Sequence, residues 1–286
     1  MAERSTPSCV NYWDDFYSEG GPGYVDTYEW YLLYPDIRPF LVANLPAEGQ
    51  RILHIGCGNS VVGEKIVNDP ELPTGVTVVN IDNCELIVEK MRERQREAYS
   101  AAASASTTKP SGRGQTSADK KRRAAGKSGH GGGAAPDIDE MLSRCTYELM
   151  GVENMTLEDN SFDLCLDKGC LDALLSTGEA EEGTNETIQQ MMREVYRVLK
   201  PGAKFLIFSK NDSFITNPYF YISDDVDWEV QADTFDRSTV AAGREGKKGG
   251  GGRSNANSNG DGSGGPGGAT LARTFYLYTL TSCKPE

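Results

Sequence analysis

A strand that runs straight into two glycines and then a helix constrains this chain more than any other feature of its sequence. Arg51-Ile52-Leu53-His54-Ile55 follows a turn-like Ala47-Glu48-Gly49 and reads as a buried strand. Gly56-Cys57-Gly58-Asn59-Ser60 then turns the chain into a helix from Val61 to Val67, and Val76 to Ile81 is a second, β-branched strand ending at Asp82-Asn83. Strand, helix and strand in that order form a βαβ unit with its strands paired in parallel. The glycines remove Cβ atoms where a ligand would approach the backbone, and the helix N-terminus offers unpaired N–H groups to an anion. Asp82 lies 24 residues beyond Gly58, at a strand end where an acid can accept the hydroxyl protons of a ribose. A dinucleotide site calls for a third glycine at position 61, where Val61 stands, and this favours an adenosyl ligand that ends in an amino acid.

The βαβ pattern continues along the chain. Apolar spacing from Ile37 to Leu45 predicts a helix stopped by Pro46, and Leu86 to Arg96 predicts a charged amphipathic one. Cys145 to Met150 and Phe162 to Asp167 read as strands, and Ile188 to Leu199 carries a helical stripe broken by Pro201-Gly202. Lys204 to Ser209 is the next strand. Trp228 to Val230 and Thr274 to Leu280 alternate and pair as a hairpin with a very long loop. The order predicts a doubly wound α/β fold, mostly parallel, with helices on both faces. Residues 1–50 are aromatic and irregular and form a cap segment; residues 51–286 hold the domain.

Two stretches interrupt it. Residues 98–136 are small or polar with seven basic side chains and one acid, and residues 241–268 hold 12 glycines in 28 positions. Neither has apolar surface enough to offset the entropy of ordering it, so both are expected to be disordered inserts. The chain carries −13, and because the inserts are basic the other 219 residues carry −21. Such a field repels phosphates, so no nucleic-acid partner is expected, and it attracts a basic protein. The N-terminus lacks the apolar run of a secretory signal and no stretch reaches the length of a membrane span. Seven scattered cysteines without a C-x-x-C pair, and only two histidines, argue for reduced thiols, a cytoplasmic protein and no metal site.

Taken together, His54-Ile55-Gly56-Cys57-Gly58-Asn59-Ser60, Asn80-Ile81-Asp82 and Phe162-Asp163-x-x-x-Asp167-Lys168-Gly169-x-Leu171-Asp172-Ala173-Leu174 resemble the S-adenosylmethionine-dependent methyltransferases of the seven-strand class. Tyr12-Trp13-x-x-x-Tyr17, Glu29-Trp30-Tyr31 and Glu194-Val195-x-Arg197-Val198-Leu199-Lys200-Pro201-Gly202 are similar to the branch of lysine methyltransferases that act on translation elongation factor 1-alpha, which includes the endothelin-converting-enzyme-associated form. The resemblance implies a seven-stranded Rossmann-like sheet with an antiparallel C-terminal hairpin and an aromatic N-terminal cap. It implies S-adenosyl-L-methionine as cofactor and a protein lysine as acceptor, elongation factor 1-alpha being the leading candidate. It places Trp13, Tyr17 and Trp30 along the cofactor, Gly56 and Gly58 at its methionine moiety, Asp82 on the ribose hydroxyls and Asn83 beside the adenine, with Lys168 closing the pocket. Where the branch carries an acid for the adenine amino group this chain has Gly151, so the backbone of Gly151 and Val152, or a shifted Glu153, would take that contact. No catalytic base is assigned; Asp167 is a position to test. A methyltransferase for a small molecule or another protein would share every cofactor motif, and a non-catalytic binding protein of the same fold would share most of them. His54 reads as a satisfied core histidine and Cys57 as a residue chosen for its size.

Overall fold

The computed structural model describes residues 9–45, 50–107, 138–177, 182–221, 226–236 and 274–285. One seven-stranded sheet organises them: β1 (Arg51–Ile55), β2 (Thr77–Asp82), β3 (Cys145–Leu149), β4 (Phe162–Lys168), β5 (Leu199–Ser209), β6 (Trp228–Asp236) and β7 (Thr274–Ser282). The strand order is β3-β2-β1-β4-β5-β7-β6. The first five are parallel, whereas β7 pairs antiparallel with both β5 and β6. The hairpin expected from the alternating ends is present, with Trp228 opposite Ser282 and Asp236 opposite Thr274; the second insert, 241–268, lies wholly within the undescribed 237–273 between them.

Alternation along the central strands gives each face its own core, because successive side chains of a strand point to opposite sides. Ile52, Val78, Leu164, Leu166, Leu206 and Phe208 bury on one face and Leu53, Ile55, Ile81, Cys165, Phe205 and Ile207 on the other. The first face is covered by α1 (Cys9–Tyr17), α2 (Tyr34–Asn44), α3 (Val62–Val67) and α4 (Glu85–Thr107), the second by α6 (Cys170–Thr177), α7 (Glu182–Val198) and α8 (Ser213–Phe220). Short α5 (Ile138–Arg144) leads into β3. Tyr17, Leu32, Ile37 and Leu41 of the N-terminal segment belong to the same buried cluster as β1 and β2, so the cap is an integral part of the core.

One boundary differs from expectation. Composition placed the first insert from residue 98, but α4 continues unbroken to Thr107 and buries Tyr99. The stretch after Arg96 is rich in alanine, the strongest helix former, so a helix already anchored by its first turns propagates through it. The rest of that insert, 108–136, lies outside the described residues.

Chain order reverses between β1 and β4. Crossovers leave β1 toward β2 on one side and return beyond β4 on the other, so the carboxyl ends of these two strands open a crevice. The glycine turn sits there.

Candidate active site

Gly56 and Gly58 both take left-handed backbone, φ +54° and +50°, which side-chain-bearing residues adopt at a cost. Space is equally restrictive. A Cβ on Gly56 would lie 2.6 Å from Cys170 Sγ, and one on Gly58 would lie 2.4 Å from the Tyr17 hydroxyl oxygen. Tyr17, at the end of α1, therefore covers the turn, with the Trp13 ring stacked 5.9 Å away and Trp30 reached through Phe16. Burial raises the Tyr17 phenol, and the nearby Asp82 carboxylate adds to the shift. Of the three cap aromatics, Tyr17 touches the glycine turn, whereas Trp13 and Trp30 pack on the rings beside it.

Asp82 ends β2 beside them. Its Oδ2 accepts the Gly58 N–H at 2.8 Å and its Oδ1 the Cys84 N–H at 3.0 Å. These bonds hold the carboxylate across the mouth of the turn while leaving each oxygen a second lone pair. Burial pushes the carboxyl upward against those donors. Asn83, half-buried, follows it. Cys57 between the glycines is buried with its thiol raised well above the usual range, chiefly by burial, which disarms it as a nucleophile. His54 is a core residue, as its position suggested: Nδ1 lies 2.9 Å from Asn80 Oδ1, and burial pushes its pKa down to about 4.

The start of α3 differs from the anion site that the glycine turn suggested. Glu29 reaches in from the N-terminal segment, its Oε1 accepting the Val61 N–H at 2.9 Å and its Oε2 the Ser60 hydroxyl at 2.8 Å. The same carboxylate pairs with Lys168 Nζ at 2.9 Å, and Lys168 also donates to the Trp30 carbonyl at 3.1 Å. Both partners are well buried. The sequence had set Lys168 beside Asp167 and Asp172; its ion pair is instead with a residue 139 positions earlier. A protein carboxylate stands where an anionic ligand would otherwise be drawn.

Asp167 turns its oxygens onto the backbone. It accepts the N–H groups of Gly169, Cys170 and Leu171 at 2.7–2.8 Å, capping α6. Burial, with Asp172 adjacent, pushes its carboxyl up to about 7 despite those bonds. Three of its four acceptor sites are taken by the cap, which fixes the carboxylate against the start of α6. Asp172, 1% exposed, accepts from the Ser209 hydroxyl, the Lys210 N–H at 2.9 Å and Asn211 Nδ2 at 3.0 Å, and it faces the Tyr31 hydroxyl. Glu29, Tyr31 and Asp172 were not singled out from the sequence as site residues. The signal was present in the matching Glu29-Trp30-Tyr31 segment, but only the fold brings it to the end of β4.

Past the end of β3, Gly151 and buried Val152 lie on the Asp82 side of the crevice, where the Asp82 carbonyl accepts the Met150 N–H at 2.9 Å. A Cβ at Gly151 would lie 2.6 and 2.7 Å from the two Glu153 carboxylate oxygens. Glu153 fills the space a side chain at 151 would take. Among the described residues no group of three or more His, Cys, Asp or Glu side chains could hold a metal ion, and no helix is long and apolar enough to cross a membrane.

Comparison with known proteins bears on the family and the fold. A family profile described as a methyltransferase domain matches residues 118–207. The chain is 26% identical over 201 residues to the eEF1A lysine and N-terminal methyltransferase of Bos taurus, covering 70% of this chain and 21% of that protein. The match is 26% with EEF1A lysine methyltransferase 4 of Mus musculus, covering 79% and 70% of the two chains. It is also 26% with the mitochondrial citrate synthase-lysine N-methyltransferase CSKMT of Danio rerio, covering 70% and 66%. The chain thus spans about a fifth of the length of the first of these relatives. Among solved structures, one described as "Conversion of a Disulfide Bond into a Thioacetal Group during Echinomycin Biosynthesis" shares the fold, with a TM-score of 0.50 at 11% identity over 96% of this chain and 92% of that one.

Proposed function

We propose that the chain is a class I, S-adenosylmethionine-dependent methyltransferase and that it methylates a lysine ε-amine of a protein substrate. The residues of the crevice fit that cofactor. Gly56 and Gly58 keep the turn bare backbone, since Cys170 and Tyr17 stand where their Cβ atoms would be, and Asp82 keeps lone pairs for two ribose hydroxyls. In this reading Asn83, Val152 and Gly151 border the adenine, Tyr17, Trp13 and Trp30 cover the methionine end, and Lys168 closes the pocket through Glu29. When bound, the cofactor supplies an electrophilic methyl group on a sulfonium.

The observation that carries the reading is Glu29 at the start of α3. Its carboxylate occupies the Val61 N–H and Ser60 hydroxyl donors of that helix end, which a pyrophosphate would need. This is a second argument against a dinucleotide, independent of Val61.

What the chain's own residues must do is position and dry the reactants. An oriented, water-excluded nucleophile gains most of its rate from being held in line, so the aromatic cap is a sufficient device. The acceptor lysine, with an ordinary pKa of ~10.4, must arrive neutral, and desolvation under Trp13, Tyr17 and Trp30 favours that form. For the substrate, the relatives named for eEF1A lysine methylation and the acidic charge of the folded residues support a basic protein surface, with elongation factor 1-alpha the leading candidate.

The test is transfer of labelled methyl groups from S-adenosylmethionine into a cell lysate and into purified elongation factor 1-alpha. Label on lysine of a protein band supports the proposal. Label confined to small molecules refutes the protein substrate, and label on a different protein refutes only the named target.

A further inference from the structure

The reactive end of a ligand in this crevice is fixed by the order of the strands. Asp82 stands on the β2 side of the glycine turn, and β4 and β5 stand on the other side. A ligand whose ribose meets Asp82 and whose middle crosses Gly56 and Gly58 must project its far end toward β4 and β5. The groups waiting there decide what reaches the methyl.

Most of them are already committed. Asp167 caps α6, Lys168 pairs with Glu29, and Asp172 is shared among Ser209, Lys210 and Asn211 and faces the Tyr31 hydroxyl. Tyr31 stands among them with a hydroxyl that is not held by the cap or by an ion pair. Its hydroxyl proton can be given to Asp172, which leaves the oxygen lone pairs to accept a hydrogen bond.

The backbone at Tyr31 is unusual as well. Its φ of +59° is left-handed, a region costly for a bulky aromatic residue. Such strain persists only where the surroundings over-determine it. Here they do. Glu29, two residues earlier, is bonded to Ser60, Val61 and Lys168, and the Trp30 carbonyl accepts from Lys168. The Leu32 N–H folds back to the same carbonyl at 2.6 Å. The Tyr31 ring packs on Gly169, where a Cβ would lie 3.2 Å from its Cε2, and Gly169 itself has φ +101°. All these ties hold one half-buried tyrosine in one orientation over the end of β4.

We infer that Tyr31 is the acceptor-side residue of this enzyme: its hydroxyl, oriented by Asp172, accepts a hydrogen bond from the incoming amine and aims the nitrogen lone pair at the methyl carbon. The inference rests on the methyltransferase reading above. In the transfer the nitrogen lone pair forms the new N–C bond while the C–S bond breaks and its electron pair stays on sulfur. Positive charge passes to nitrogen, and the amine proton that becomes acidic leaves to solvent. Tyr31 takes no proton; it restricts the angle of approach. Asp172 acts through Tyr31 and is a positioning residue.

The experiment compares wild type with Tyr31→Phe and Asp172→Asn. It uses labelled transfer to lysate protein or purified elongation factor 1-alpha, calorimetric titration with S-adenosylmethionine, and thermal melting. Tyr31→Phe keeps the ring on Gly169, so it is expected to melt within a few degrees of wild type and to bind the cofactor within twofold. Its turnover number should fall at least tenfold, with the acceptor KM changed much less. Asp172→Asn should lower turnover in the same direction. Where it also melts early through its Ser209 and Lys210 bonds, the Tyr31→Phe result decides. Undiminished turnover in a folded Tyr31→Phe protein overturns the inference. Loss of cofactor affinity parallel to turnover also overturns it, because the hydroxyl would then belong to the cofactor side. A wild-type enzyme that binds cofactor but labels no protein overturns the proposed function, and this inference with it, before any variant is compared.

Discussion

Replacing Asp82 tests two consequences of one carboxylate, and the structure separates them. Asp82→Ala removes the acceptor for the Gly58 and Cys84 N–H groups, at 2.8 and 3.0 Å, in a residue that is 8% exposed. A buried donor left without a partner costs about 1–3 kcal/mol, so the variant should lose ~2–4 kcal/mol of stability, allowing for some rescue by water. The glycine turn should loosen without unfolding the sheet. Hydrogen bonds from ribose hydroxyls to a charged acceptor contribute ~1.5–3 kcal/mol, so the cofactor Kd should rise roughly 10- to 150-fold. Asp82→Asn divides the two effects. Its carbonyl oxygen retains one backbone N–H while its amide confronts the other, so stability should fall less than in the alanine variant, and the cofactor loss should be similar. Calorimetric titration with S-adenosylmethionine gives the affinity, and urea unfolding gives the stability of each variant. A folded alanine variant with wild-type affinity would remove Asp82 from the cofactor site. Wild-type stability in that variant would show that its backbone bonds do not hold the turn.

Three further predictions follow from buried groups. His54 is neutral in the fold with a pKa pushed down to about 4, so the unfolded chain binds the extra proton between that value and ~6.5. Its contribution to stability is complete at neutral pH and falls on acidification, by about 2 kcal/mol at pH 5, and the difference between wild type and His54→Gln in urea unfolding at the two pH values measures it. Glu153→Gln should raise the cofactor Kd about tenfold if this carboxylate replaces the acid missing at 151. Gly151→Asp with Glu153→Ala should restore affinity, whereas Gly151→Asp alone should meet the Glu153 oxygens at 2.6–2.7 Å; unchanged titration curves throughout would exclude Glu153. Lys168→Met leaves Glu29 with the Ser60 and Val61 donors but no cation, and should cost ~3–5 kcal/mol in thermal or urea unfolding, partly recovered by Glu29→Gln in the same chain. A variant as stable as wild type would refute the tie between cap and sheet.

The parts of the fold legible in sequence were those written in local pattern. The run Arg51 to Ile55, the glycine turn and Asp82 could be placed because burial on both faces, turn chemistry and a strand end each leave a mark within a few residues. The end of α4 could not, since the alanine-rich stretch to Thr107 reads as coreless and yet extends a helix already nucleated upstream. Within the candidate site, the glycine turn and Asp82 were legible for the same reason, and the contacts that join distant segments were not. Nothing near Lys168 in sequence points to Glu29, 139 residues away, and Asp167 looked like a free acid until three backbone N–H groups claimed it. Tyr31 showed as part of a matching motif, but its left-handed backbone is a property of the surroundings that hold it.

Those distant contacts share one logic. Helix N-termini attract anions, and a glycine turn before a helix would by itself favour a phosphate. By bringing Glu29 to Val61 and Ser60, the N-terminal segment fills that position with a carboxylate of its own, and Lys168 then balances the charge from β4. Both charges sit in a largely buried setting, where removal of either leaves the other uncompensated, so the pair holds the cap to the sheet as firmly as it redirects ligand choice. The same tie fixes Trp30 and Tyr31 above β4. One ion pair thereby couples three features: the exclusion of pyrophosphate, the closing of aromatic rings over the glycines, and the strained tyrosine on the acceptor side. In the proposed reading, a chain with the glycine turn and Asp82 but without Glu29 would keep the ribose contact and lose all three, so Glu29 variants should change ligand choice more than they change ribose binding.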